Sequence, residues 1–189
     1  MEALKEYPDG YFDCAIVDPP YGIGMDKGAG ETSSKYNSKS KLDFYTPKNW
    51  DNQRPEKEYF VQLQRVSKHQ IIFGGNYFAD LLPASRGWIY WRKLLGGNYA
   101  HGELAYTSFD RNLLEFTKQP QRGGRIHPTQ KPAELYRWIL EKYCKKGDKI
   151  LDTHLGSGSI AIAVHDLGGF ELVGYELDTE YYTAACKRL

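Results

Sequence analysis

An acid, two prolines and an aromatic residue follow a short apolar run near the start of the chain. They are Asp18, Pro19, Pro20 and Tyr21, and the apolar run is 14–17. Proline fixes φ and donates no backbone hydrogen bond, so the two prolines end a strand and leave carbonyl groups free. The loop could bind a planar base, with two acceptors for an exocyclic amine and an aromatic face for stacking. The alternative is a proline-rich turn without a ligand.

A glycine-rich loop near the other end of the chain predicts a nucleotide-like ligand. Residues 150–159 read ILDTHLGSGS and precede the alanine-rich apolar stretch 160–164, in the order strand, loop and helix. Gly156 and Gly158 allow close approach of the backbone, and the N–H groups of the loop suit a polar or anionic group. Glu176 ends the next predicted strand about 20 residues later, where doubly wound folds bind an adenosine ribose. A tight turn without a ligand is the alternative.

Together, four motifs resemble those of the DNA amino-methyltransferases that use S-adenosylmethionine. Residues 18–21 are similar to the catalytic motif of that family, 152–159 to its cofactor loop and Glu176 to its ribose-binding acid. The sequence HPTQKP at 127–132 is similar to the motif beside the methionine part of the cofactor. The catalytic motif comes first, as in the circularly permuted beta group, and the stretch 71–91 is similar to phage- and prophage-type members.

The resemblance implies a set of site residues and no metal. The residues expected at the base are Asp18, Pro19, Pro20 and Tyr21. The residues expected at the cofactor are Thr129, Gln130, Lys131, Pro132, Asp152, His154, Gly156, Ser157, Gly158 and Glu176. His154 stands where the family usually has Phe, and we favour a packed imidazole over a catalytic role for it.

Strands alternate with helices along the chain, which predicts a mostly parallel sheet covered by helices on both faces. Strands are predicted at 13–18, 70–73, 87–91, 103–107, 149–152 and 172–176. Helices are predicted at 55–66, 76–82, 132–143, 178–189 and after the glycine loop. The expected fold is a Rossmann-like, doubly wound α/β sheet with one antiparallel strand, of the circularly permuted class I methyltransferase type. We expect one domain over 1–189, with a catalytic half (1–126) and a cofactor half (127–189).

The charge distribution is more informative than the net charge of +1. Residues 27–48 carry five lysines and two acids, 111–131 carry five basic residues and one acid, and 166–180 carry five acids and no Lys or Arg. This pattern predicts a basic DNA side and an acidic cofactor side, with ordinary solvated surface as the alternative. The long polar segments 25–48 and 117–126 are predicted to be loops, and the first is either a DNA-contacting lid or disordered.

The cysteines and the hydropathy of the chain indicate a cytoplasmic protein. Cys14, Cys144 and Cys186 are widely spaced and form no Cys-x-x-Cys pair, so they suggest neither a metal site nor a disulfide framework. There is no signal peptide or apolar run of membrane-spanning length. The expected partner is double-stranded DNA, without a membrane, and the protein is expected to be a monomer or a homodimer.

The activity implied by the resemblance is methyl transfer to the exocyclic N6 of adenine. Asp at the first motif position favours adenine over the N4 of cytosine, where the related motif more often begins with Ser. Alternatives are N4-cytosine methylation, methylation of RNA or a protein amide, and a cofactor-binding remnant without catalysis. The permuted motif order argues against RNA and protein substrates. The family usually has a strand and an acid before the stretch resembling 1–4, so we expect an upstream extension to raise cofactor affinity and stability.

Overall fold

The computed structural model describes residues 2–25, 48–97, 99–121 and 123–189. The predicted loop 25–48 lies outside these ranges except for its two end residues. The lysines of 27–48 other than Lys48 are therefore not part of the structural description.

The described residues form a sheet of seven strands in the order β5-β3-β4-β2-β1-β6-β7. The strands are β1 (Phe12–Val17), β2 (Ser67–Phe73), β3 (Trp88–Arg92), β4 (Gly102–Thr107), β5 (Leu114–Thr117), β6 (Lys149–Asp152) and β7 (Glu171–Gly174). Strand β4 is antiparallel to both of its neighbours, β2 and β3, whereas the other pairings are parallel. The prediction of a mostly parallel sheet with one antiparallel strand is confirmed.

The helices cover both faces of the sheet. They are α1 (Glu2–Lys5), α2 (Lys57–Val66), α3 (Ala133–Tyr143), α4 (Ser159–Leu167) and α5 (Thr179–Cys186). None of the helices in the described ranges is long and apolar enough to cross a bilayer.

The predicted helix at 76–82 is wrong. Only Gly75–Tyr77 form a single 3₁₀ turn, and irregular turns follow it. Gly74 before this turn has a left-handed backbone with φ of 66°, and Pro83 after it has no N–H group. The segment between them is too short to gain the hydrogen bonds that offset helix nucleation.

Strand β1 lies between β2 and β6 and is buried on both faces, because its side chains alternate between two apolar clusters. Cys14 and Ile16 pack in the cluster that includes α3 and α4, and Ala15 and Val17 pack in the cluster that includes α2. A strand buried on both sides is typical of α/β sheets. It gives the loop that begins at Asp18 a rigid support.

The carboxyl ends of the parallel strands meet at one edge of the sheet, which positions the predicted site. Asp18 follows β1, Gly74 follows β2, Thr153 follows β6 and Tyr175 follows β7. The antiparallel strand β4 begins at the same edge, since Gly102 pairs with Arg92 at the end of β3. In doubly wound folds the ligand site lies at this edge.

The apolar face of α2 gives a test of the packing. Leu63 is fully buried, whereas Val61 on the same helix is 44% exposed. We expect Leu63→Ala to lower the free energy of unfolding by about 2–5 kcal/mol because it leaves a cavity. The matched Val61→Ala is expected to change it by less than about 0.5 kcal/mol. Denaturant titration of both variants measures the difference, and similar effects would contradict the packing described.

Candidate functional site

A cavity of about 710 Å³ opens at the carboxyl edge of the sheet. This volume is within the usual range for small-molecule and cofactor sites. The predicted residues that line it are Asp18, Pro20, Thr129, Gln130, Lys131, His154, Gly156, Ser157 and Glu176. The predicted residues outside the lining are Pro19, Tyr21, Pro132, Asp152 and Gly158. The cavity thus joins the early acid, the HPTQKP segment and the glycine loop.

Aromatic side chains that the sequence analysis missed also line this cavity. They are Trp50, Tyr59, Tyr136, Tyr175 and Tyr181. Tyr59 and Tyr136 occupy apolar positions of amphipathic helices, a spacing that is typical of core packing rather than of a site. Tyr175 directly precedes Glu176 and could have been found from its position beside the predicted ribose acid.

The Asp18 carboxylate is held by two side chains. Its Oδ1 accepts a hydrogen bond from the Tyr21 hydroxyl at 2.7 Å, and its Oδ2 accepts one from the Lys131 ammonium. The Tyr21 ring stacks on Tyr77 with centroids 4.8 Å apart and planes 15° apart. Gly74 lies against this ring, and a Cβ there would overlap it. In this conformation Tyr21 orients Asp18, a contact that the sequence did not predict.

A buried aspartate fixes the loop that continues from Tyr21. Asp51 is 1% exposed; its Oδ1 accepts from the Gly22 N–H and its Oδ2 from the Met25 N–H, both at 2.8 Å. The Asp51 carbonyl also accepts from the Gly24 N–H at 3.0 Å. These bonds satisfy the backbone of a loop that has no regular secondary structure, and they hold it beside the cavity.

Lys131 lies below the surface, between two carboxylates. Its ammonium binds Asp18 and is 3.4 Å from Glu103 Oε2, and its side chain is 3% exposed. Lys131 was counted among the basic residues of 111–131 that predicted a DNA-facing side, and this part of that prediction is wrong. The reason is burial, since the charge is neutralised within the protein.

The glycine loop binds the acid that follows β7. Glu176 Oε2 accepts from the Gly156 N–H at 2.7 Å, and Oε1 accepts from the Asp178 N–H at 2.8 Å. Gly156 and Gly158 have φ of 52° and 70°, a left-handed backbone that favours glycine. The loop therefore needs both glycines for its own shape, and it holds the Glu176 carboxylate at the cavity wall.

Asp152 is buried behind the cavity lining. Its Oδ1 accepts from the His154 N–H at 3.0 Å. Burial raises the pKa of Asp152 to about 7, and the nearby Asp18 and Glu176 carboxylates act in the same direction, against the effect of the His154 hydrogen bond. Its protonation therefore changes near neutral pH.

Two histidines of the cavity wall are uncharged at neutral pH. Burial lowers the pKa of His154 to about 4, and burial together with the Lys131 charge lowers that of His127 to about 4. His154 Nδ1 is 2.9 Å from the Thr153 hydroxyl, and its ring meets the edge of Tyr59. Neither imidazole adds positive charge to the cavity.

The HPTQKP segment is stabilised by its own side chains. His127 Nδ1 accepts from the Thr129 N–H at 3.3 Å and lies 3.1 Å from the Thr129 hydroxyl. Gln130 Oε1 accepts from the Ile126 N–H at 3.0 Å. Pro132 then precedes α3, where its fixed φ suits the start of a helix. These contacts bring Lys131 to the cavity.

Among the described residues, no group of three or more His, Cys, Asp or Glu side chains could hold a metal ion. The three cysteines are free thiols.

Comparison with known proteins assigns the chain to a family. A family model described as DNA methylase, of the N6 and N4 methyltransferase type, matches residues 52–187. The chain belongs to this DNA methylase family. Its members use S-adenosylmethionine as methyl donor. The match begins after Asp18, so it includes the cofactor loop and Lys131 but not the first motif.

Relatives of the DNA methylase family match the chain in sequence to different extents. The type II methyltransferase M.HpaI of Haemophilus parainfluenzae is 25% identical, and the alignment covers 100% of this chain and 71% of that protein. The type II methyltransferase M2.DpnII of Streptococcus pneumoniae is 38% identical over 73 residues, which cover 39% of this chain and 27% of that protein. The second similarity is therefore local.

Solved structures of DNA methylases share the fold. The complex of M1.HpyAVI with SAM has a TM-score of 0.66 at 21% identity and covers 100% of this chain and 95% of that chain. PvuII DNA methyltransferase, described as cytosine-N4-specific, has a TM-score of 0.62 at 12% identity and covers 98% of this chain and 82% of that one. The expected class I methyltransferase fold is thereby confirmed.

The residues of the cavity fit S-adenosylmethionine, which carries a ribose, an adenine, a sulfonium and an amino acid group. The Glu176 carboxylate suits the ribose hydroxyls, and the left-handed Gly156 allows close approach of the backbone. Aromatic rings such as Tyr181 and Tyr175 suit a flat base and a sulfonium cation. All of these groups line the same cavity.

The raised pKa of Asp152 predicts a pH effect on stability. Between about pH 4 and pH 7 the folded protein holds a proton that an unfolded Asp, with its ordinary pKa, has released. Stability contributed by this group therefore falls as pH rises through that window. We expect Asp152→Asn to gain stability relative to the wild type as pH increases from 4 to 7. Denaturant unfolding at several pH values, without cofactor, measures this. A difference independent of pH would contradict the assignment.

Proposed function

We propose that this protein transfers a methyl group from S-adenosylmethionine to the exocyclic N6 of adenine in DNA. The observation that carries the proposal is the shared cavity, which is lined both by Asp18 on the fixed loop after β1 and by the Gly156 loop with Glu176. Membership of the DNA methylase family supports the reaction class and the DNA substrate.

The proposed base site consists of the Asp18 carboxylate and the Pro19 carbonyl. The lone pair of the amine is delocalised into the ring of a base, so the amine is a poor nucleophile. Hydrogen bonds from its two protons to Asp18 and Pro19 would favour a pyramidal nitrogen with a more available lone pair. Pro20 keeps this loop stiff, and the base would have to be flipped out of the duplex to reach it.

The proposed cofactor site consists of the HPTQKP segment, the glycine loop and Glu176. Bound S-adenosylmethionine would supply a methyl group whose bond to the positively charged sulfur breaks with its electron pair going to sulfur, while the methylated amine releases one proton. Glu176 would accept hydrogen bonds from the ribose, while Thr129 and Ser157 offer hydroxyls along the same wall. Gln130 and Pro132 hold the backbone before α3, and Gly158 allows α4 to begin close to the loop.

Alignment and water exclusion account for the rate increase in this proposal. The base nitrogen, the methyl group and the sulfur must lie in line, which a rigid pair of sites favours. Asp18 is positioned before the reaction, so its charge stabilises the developing positive charge on nitrogen without reorganisation. Tyr59 and Tyr136 from α2 and α3 line the cavity and limit the space for water.

Adenine N6 is preferred over cytosine N4 because the motif begins with Asp. The similarity in fold to a cytosine-N4-specific enzyme keeps cytosine as the second candidate. The test is to incubate the protein with unmethylated DNA and labelled S-adenosylmethionine, and to identify the modified nucleoside by mass spectrometry. N6-methyladenine supports the proposal, N4-methylcytosine overturns the choice of base, and cofactor binding without methylation overturns the activity.

Replacement of Asp18 tests its role at the base. We expect Asp18→Asn to slow methyl transfer by more than about 100-fold, since a preorganised charged acceptor is lost. Cofactor affinity is expected to stay unchanged, because Asp18 serves the base. Radiolabel transfer and calorimetry measure the two quantities. Asp110→Asn, at an exposed residue paired with Arg86, is the control. Transfer by Asp18→Asn near the wild-type rate would rule out the assigned role.

Glu176 and Glu171 stand at opposite ends of β7 and give a matched pair for cofactor binding. We expect Glu176→Gln to weaken S-adenosylmethionine binding by about 1.5–3 kcal/mol, the range for hydrogen bonds to a charged group. Glu171→Gln, whose side chain is exposed, should leave binding unchanged. Calorimetry gives the affinities, and thermal melting shows whether each variant is folded. Equal affinity of two folded variants would remove Glu176 from the site.

A further inference from the structure

Four side chains of alternating charge form a series of contacts that begins at Asp18 and ends at Lys93. Lys93 Nζ is 2.5 Å from Glu103 Oε1, Glu103 Oε2 is 3.4 Å from Lys131 Nζ, and Lys131 Nζ binds Asp18 Oδ2. Hereafter these four residues are called the charge row. Asp18 and Lys131 line the cavity, whereas Glu103 and Lys93 do not.

The charge row is shielded from solvent to an extent unusual for ionised side chains. The exposed fractions of the side chains are 15% for Lys93, 22% for Glu103, 3% for Lys131 and 17% for Asp18. Removal of such charges from water is costly unless opposite charges are in contact. The alternation of signs meets that requirement, because each inner charge lies between two opposite ones.

The ionised states of the inner pair depend on their neighbours. Burial alone would lower the pKa of Lys131, but the Asp18 and Glu103 carboxylates raise it above its ordinary value. Burial alone would raise the pKa of Glu103, but the Lys131 and Lys93 ammonium groups hold it below its ordinary value. Each residue of the pair stays charged because of the other.

The antiparallel strand β4 brings Glu103 close to residues of the charge row that are distant from it in the sequence. Because β4 runs opposite to its neighbours, its first residues lie at the edge where β1, β2 and β3 end. Glu103 pairs with Trp91 across the strands, and the Lys93 N–H donates to the His101 carbonyl at 2.8 Å. Glu103 is therefore held by backbone pairing on a strand, and its carboxylate is the second one beside the Lys131 ammonium.

We propose that Glu103 and Lys93 are positioning residues for methyl transfer. Glu103 holds the Lys131 ammonium against Asp18 Oδ2, so that Asp18 presents its carboxylate to the amine in one orientation. Lys93 keeps Glu103 charged and in place. Neither residue touches the base or the cofactor. The inference rests on the proposed function, since it concerns the same catalytic carboxylate.

Other titratable groups that act on Asp18 come from each element packed around it. They are Tyr21 on the same loop, Tyr59 of α2, Tyr136 of α3 and Asp152 of β6. Burial and the Asp18 charge raise the pKa of the three phenols, so these stay neutral. Within the part of the chain that the structure describes, the cation in contact with Asp18 is Lys131, so the charge row is what sets the charge around Asp18.

The test compares Glu103→Gln with a control on the neighbouring part of the sheet. Glu115→Gln removes a carboxylate of β5 that lies 3.9 Å from Arg92 and is 47% exposed. We expect Glu103→Gln to reduce kcat by roughly tenfold, because the buried Lys131 ammonium loses one of the two carboxylates beside it. Affinity for S-adenosylmethionine should be unchanged. Glu115→Gln should match the wild type, and Glu103→Asp should recover part of the rate.

The pH profile separates positioning from a purely structural role. Without Glu103, Lys131 loses one of the charges that keep it protonated, so the alkaline limb of kcat should move to lower pH. A direct readout uses lysines labelled with ¹³C at Cε, with the Lys131 signal assigned from its loss in Lys131→Met. In Glu103→Gln this signal should titrate at lower pH than in the wild type.

The NMR measurement does not depend on activity. It therefore tests the role of Glu103 independently of the proposed methyl transfer. A wild type that methylates no DNA overturns the proposed function. A Lys131 titration unchanged in folded Glu103→Gln overturns the role of Glu103, as do an unchanged kcat and pH profile. If Glu103→Gln does not fold, Lys93→Met tests positioning through the kinetics alone. A lower kcat at an unchanged KM for S-adenosylmethionine supports the role of the charge row, and a kcat equal to that of the wild type overturns it.

Discussion

The buried ion pair between Lys131 and Asp18 is the contact on which the candidate site depends. It joins a loop after the first strand to a segment 113 positions later in the chain, beside the start of α3. Because both side chains are shielded from water, each needs an opposite charge in contact. The pair therefore requires that the early loop, the HPTQKP segment and the sheet edge between them form together. The shape of the cavity follows from this requirement.

The topology of the sheet brings the residues around the Asp18–Lys131 pair to the same edge. Parallel strands β1, β2 and β6 place their following loops at one edge, and the antiparallel β4 starts at that edge with a carboxylate. Gly74, after β2, leaves room for the Tyr21 ring, whose hydroxyl then reaches the second oxygen of Asp18. The Asp18 carboxylate is thus fixed by Tyr21 from its own loop and by Lys131 from the segment before α3, while the loop that bears it has no regular secondary structure.

Short sequence motifs predicted the parts of the site that are formed by residues close together in the chain. The Asp18 loop, the Gly156 loop and helix α5 depend on residues close in sequence, and the structure has these elements where they were expected. Glu103 was missed because its partners, Lys93 and Lys131, are distant and no short motif contains them. Strand β5 was also missed, since four residues at a sheet edge show little periodicity, and tertiary packing rather than propensity decides such segments.

Two carboxylates of this region show why Asp18 rather than Asp152 suits the role of acceptor. Asp152 accepts from a neutral backbone N–H, and burial raises its pKa to about 7, so near neutral pH it is partly protonated. Asp18 is in contact with the Lys131 ammonium. Each carboxylate oxygen has two lone pairs, so the bonds from Tyr21 and Lys131 leave capacity for a further donor. The fold thus gives one of two nearby acids a charged partner, and that acid is the one that directly follows β1.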